Sequence, residues 1–128
     1  MFMKVQVSIS LGELVDKISI LKIKKKNIKD TKKLVDVERE LSLLEDELTQ
    51  MNLTGIQAHL DQLMQVNEKL WNIEDEIRIK EKNNEFDEGF IQLSRSVYLT
   101  NDQRFNLKNT INNEYGSTVK EVKSYEEY

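Results

Sequence analysis

Apolar residues recur at intervals of three and four along most of this chain, and no proline interrupts them. That period belongs to a helix that buries one stripe and leaves the rest in water. One stripe runs through Leu11, Leu14, Ile18, Leu21 and Ile28, and a second through Leu34, Val37, Leu41, Leu44 and Leu48 as a coiled-coil-type heptad. A third comprises Ile56, Leu60, Leu63, Leu70 and Ile77, flanked by Met64 and Trp71. The fourth follows Phe86, Phe90, Leu93 and Val97, and resumes at Phe105, Leu107, Ile111 and Tyr115.

Boundary signals separate the stripes. Ser10 and Glu13 in "SLGE" form a capping box, and Thr54 with Gln57 reads as a second, with Gly55 just inside. The phase breaks between Ile28 and Leu34, where "KDTK" predicts a turn near 30–33; one bent helix is the alternative there. "KNNEFDEG" (82–89) is aperiodic and predicts another turn, and Gly116 a C-terminal cap. Short turns between long helices predict an all-α chain, an antiparallel helical bundle or paired long helical hairpins. Residues 1–128 read as a single helical domain, with a strand-like arm at 1–9 and a tail at 117–128. "KVQVSI" (4–9) alternates polar and apolar residues and "STVKEVKSY" (117–125) does so more weakly, so the two could form a short terminal β-strand pair.

Composition narrows the partners. Charged residues make up 33% against 38% hydrophobic, a balance suited to long amphipathic helices. The absence of cysteine excludes disulfide and thiolate chemistry and suits a reducing cytoplasm. "MFMKVQVSIS" is too short and polar for a secretory leader, and no stretch predicts a membrane span. A net charge of −4 argues against nucleic-acid binding, which needs a basic footprint. The charge is unevenly spread, because residues 1–33 hold nine lysines against three acidic residues. "KIKKKNIKDTKK" reads as a solvated face able to steer self-association against the acidic helices, or else to meet an anionic surface.

The third stripe turns polar at Asn67 and Glu74, with Arg78 one turn on. The fourth turns polar within "RSVYLTNDQR", at Arg95, Tyr98, Asn101, Asp102 and Arg104, and again at Lys108. Register across the 82–89 turn predicts Glu74 opposite Arg95, Trp71 opposite Tyr98, and Asn67 opposite Asp102. The set is then a polar seam that fixes helix register. Its other reading is a site for an anionic small molecule, with Arg95, Arg104 and Lys108 supplying charge and Thr100 and Gln103 capping a new helix. His59 is the single histidine and reads as a surface residue. Glu81, Glu85 and Glu88 are spaced for a Mg²⁺ site but run into the turn, so they read as solvated charge. No motif calls for a metal or cofactor, and no catalytic residues are assigned.

"ISLGELVDKISILKIK", "LWNIEDEIR", "FDEGFIQLSRSVYLTNDQR" and "INNEYGSTVKEVKSY" resemble a family of small proteins of bacteria and their phages, known only as a domain of unknown function. The resemblance spans nearly the whole chain and implies a compact domain, but it carries over no catalytic residue. Two functions follow from the sequence. The first is a helical interaction or accessory protein that self-associates, as a homodimer, through its amphipathic helices or meets a protein partner. The alternative is a module or enzyme binding a phosphorylated sugar or nucleotide through Arg95, Arg104 and Lys108.

Overall fold

Leu11 opens the first helix because Ser10, itself extended, accepts the Glu13 N–H at 3.1 Å. The computed structural model describes residues 3–128, which form four α-helices: α1 (Leu11–Asn27), α2 (Thr31–Gln50), α3 (Ile56–Lys82) and α4 (Glu88–Glu114). Asp30 caps α2 by accepting the Lys32 N–H at 2.9 Å, so the first two stripes are separate helices and not one bent helix.

Between α2 and α3 the chain reverses through two left-handed residues, Asn52 (φ 50°) and Gly55 (φ 82°). Gly55 is itself the N-cap, so the box expected from Thr54 and Gln57 does not form. Gln57 bonds Asp61 along the helix, and the Thr54 carbonyl accepts the Tyr115 hydroxyl at 2.6 Å. Asp87 caps α4 through the Phe90 N–H. Gly116, at φ 67°, lets the Ser117 N–H return to the Asn112 carbonyl, the bond that closes a Schellman turn.

Helix α1 is the hub. It packs against α2, α3 and α4, and α3 packs on α4, whereas the backbone of α2 comes close to α1 alone. The core joins Leu14, Val15, Ile18 and Leu21 of α1 to Val37 and Leu41 of α2, Leu60 and Leu63 of α3, and Ile111 of α4. Val15, Leu63 and Ile111 are fully buried, each stabilising the fold by about 1.5–3 kcal/mol. Gly12 lets α4 approach: a Cβ there would stand 2.5 Å from the Lys108 carbonyl oxygen.

Two expectations for the chain's shape need correction. Helix α4 runs unbroken through 96–104, so Thr100 and Gln103 start no helix; Thr100 is buried mid-helix. Among the described residues there is no strand. Val5 and Val7 stand in solvent, while the tail lies along α4, held by side-chain ion pairs that a strand pairing would forgo. Residues 1 and 2 of the expected arm lie outside the described residues.

Candidate functional site

The polar residues of α3 and α4 converge on a side chain of α1. Asp16 is fully buried. Its Oδ1 accepts hydrogen bonds from Asn67 Nδ2 and from Arg104 Nε, each at 2.9 Å, and its Oδ2 accepts from Arg104 Nη2. Ser19 donates to the Asp16 carbonyl at 2.6 Å and accepts from Asn67 Nδ2 at 2.7 Å. A buried carboxylate is tolerable only when its lone pairs are met, and here three donors meet them. The Asp16 hydrogen bonds raise the Arg104 pKa above its ordinary value, against the opposing effect of burial.

One turn along α4, Lys108 is 7% exposed at its side chain and sits between Glu13 and Glu121, with both ion pairs at 2.8 Å. Burial disfavours its charge. The hydrogen bonds to Glu121 and Glu13, with the field of Asp16, outweigh that and hold its pKa above the usual lysine value. The start of α1 is closed to ligands. Leu11 N–H donates to Ser117 Oγ, Gly12 N–H to Asn112 Oδ1 at 2.7 Å, Glu13 N–H to Ser10 Oγ and Leu14 N–H to the Ser10 carbonyl. The three N–H groups that open α1, from Leu11 to Glu13, are therefore all taken by side chains, and the Leu14 bond begins the regular helical ladder. Asn112 Nδ2 is left buried without a partner among the described residues.

The polar residues expected from the sequence divide between two faces. Asn67, Trp71, Glu74, Arg78, Asn101 and Arg104 line an open groove of about 470 Å³ between α1, α3 and α4, floored by Ile20, Ile23 and Leu70. Tyr98 and Asp102 lie on the side covered by the tail. There Asp102 is 3.8 Å from Lys123 and accepts the Tyr128 hydroxyl, Tyr98 meets the Tyr128 ring edge-on, and the Lys123 ammonium sits 5.2 Å above the Phe105 ring.

The expected facing pairs do not form. Glu74 pairs with Arg78 on its own helix, and Arg95 is exposed. Asn67 and Trp71 turn toward α1, whereas Asp102 and Tyr98 turn toward the tail. The cause is α1, which packs on both long helices and draws the polar face of α3 toward Asp16. His59 is not a free surface residue either: its side chain is 17% exposed, paired with Glu114 and edge-on to Tyr115.

The family model described as a family of unknown function (DUF6165) matches residues 3–128. The chain belongs to this family. No curated protein and no solved structure matches it. No helix among the described residues is long and apolar enough to cross a membrane.

Sequence reasoning missed Asp16, Ser19 and Asn112. A signal for the first two was present: Gly12, Asp16 and Ser19 recur at helical spacing beside the Leu14–Ile18–Leu21 stripe, marking a second buried face on α1.

Proposed function

We propose that this member of the family is an interaction protein, one domain acting in the cytoplasm, that self-associates through the far end of its α3–α4 hairpin. The observation that supports this is the burial pattern. From Glu74 to Leu99 no residue is buried, although the apolar seam continues through Ile77, Phe90, Leu93 and Val97. Ile79, Phe86 and Ile91 stand largely in solvent beside it. Helix α1 spans about 26 Å, and α3 and α4 about 40 Å each, so the hub covers only part of the hairpin. Two helices alone cannot close a seam on all sides, whereas two hairpins can close it as a four-helix bundle.

Contacts at both ends of the long helices favour antiparallel packing. Lys80 pairs with Asp87 beside the turn, and Tyr115 reaches Thr54 at the other end. The hairpin's charges that form no ion pair among the described residues have both signs, Lys82 and Arg95 against Asp75, Glu76 and Glu81, which suits a two-fold copy. Sedimentation equilibrium at roughly tens of micromolar should give twice the 15.1 kDa chain mass; a strict monomer refutes the proposal.

An anion site shared by Arg95, Arg104 and Lys108 is the weaker reading. Asp16 neutralises Arg104, Glu13 and Glu121 neutralise Lys108, and Arg95 stands apart on the hairpin.

A further inference from the structure

The hydrogen bonds around Asp16 leave two polar groups without partners among the described residues. Asn67 is 5% exposed, and its amide can face only one way. Nδ2 must point at the Asp16 carboxylate and at Ser19 Oγ, whose own hydrogen goes to the Asp16 carbonyl. The Asn67 Oδ1 is therefore fixed on the opposite side of the amide and accepts no hydrogen bond among the described residues. It is not fully occluded, and Asn67 lines the groove. Arg104 spends Nε and Nη2 on Asp16, which leaves Nη1 without a partner among the described residues, on a side chain that is 27% exposed and lines the same groove. One buried carboxylate thus orients both of these side chains, Asn67 and Arg104, which line the same groove.

Trp71 borders these groups with a half-buried ring, and Asn101 adds an amide that makes no side-chain hydrogen bond. Ile20, Ile23 and Leu70 form the apolar floor. The charge on Arg104 is already matched by Asp16 and that on Arg78 by Glu74, and Asp75 lines the groove as well, so the surroundings do not favour a bare anion. A flat ring with neighbouring hydrogen-bond acceptor and donor fits better. Its edge would take the Arg104 Nη1 hydrogen and give one to Asn67 Oδ1, and its face would stack on Trp71. We propose that this groove binds the nucleobase-type heteroaromatic ring of a small ligand, recognised by Asn67, Trp71 and Arg104. The proposal is independent of self-association.

Trp71 is the chain's single tryptophan, so its indole N–H gives one isolated NMR signal that reports on the groove directly. The full chain, ¹⁵N-labelled, is titrated with adenosine, guanosine and uridine monophosphates, with their free nucleosides, and with ribose 5-phosphate and inorganic phosphate. Saturable shifts of the indole signal by at least one nucleotide and its nucleoside, with none from ribose 5-phosphate or phosphate, are expected. Trp71→Leu, followed by calorimetry because the signal is lost, should weaken binding about tenfold or more, since stacking on an aromatic side chain supplies that much. Asn101→Ala, which leaves the Asp16 network intact, gives a second variant and should weaken it less. Indole shifts from none of the nucleotides at millimolar concentration, or equal shifts from ribose 5-phosphate, overturn the proposal.

Discussion

Replacing Asp16 by asparagine keeps its shape but strands the Arg104 guanidinium beside a neutral amide. Removing one member of a buried ion pair costs about 3–5 kcal/mol, because the survivor's charge is left uncompensated. Arg104 retains 27% exposure, so water recovers part of that and the low end applies, about 3 kcal/mol. With an unfolding entropy near 2 cal/mol/K per residue, this corresponds to a fall in Tm of about 11 °C. Arg104→Met should cost a similar amount by leaving Asp16 buried and unpaired. The double variant removes both charges and should recover at least half of the summed loss. Urea denaturation followed by Trp71 fluorescence measures all three. Costs that simply add, within about 0.5 kcal/mol, would show that the pair is not coupled and would refute the placement of Asp16 as the centre of the polar core.

Further tests concern the helix contacts and the tail. Gly12→Ala puts a methyl group 2.5 Å from the Lys108 carbonyl oxygen, backbone that cannot swing aside, and should destabilise by about 1–3 kcal/mol in thermal melts. Deleting residues 117–128 removes Glu121 from Lys108 and Ser117 from the start of α1, so the truncated chain should melt below the full chain; equal melting would show the tail's bonds to be idle. Lys108 has a raised folded-state pKa. Its contribution is therefore complete below the unfolded lysine value and lost as pH rises through the folded one. Urea midpoints should hold from pH 7 to about 9 and fall above about 10, and fall less in Lys108→Met.

How much of this could be read from the sequence depended on how many neighbours each helix has. The stripes of α2 and α3 contain the buried Val37, Leu41, Leu60, Leu63 and Leu70, whereas Leu34, Leu44, Leu48, Ile56 and Ile77 are only partly buried and the buried Ile73 lies outside them. Caps carried by a side chain, at Ser10 and at Asp87, follow ordinary local chemistry. At Thr54 a distant competitor, the Tyr115 hydroxyl, took the carbonyl, and Gly55 took the cap. The polar residues of the long helices were recognisable as a group because they break an apolar period. Their partners were not, because a two-helix register omits α1, whose buried faces carry both the Leu14–Leu21 stripe and Asp16. Thr100 and Gln103 resemble a helix start in composition, yet continuous backbone bonding in a long helix overrode that weak local preference.

Amide hydrogen exchange at several protein concentrations tests directly whether a second copy covers the hairpin beyond Ile73. If the account holds, protection of residues 77–97 rises with concentration from micromolar to roughly a millimolar, while protection of α1 and of residues 60–73 stays constant. Exchange in 77–97 that is fast and independent of concentration would contradict it, because the seam would then be open to water in the state the chain actually adopts.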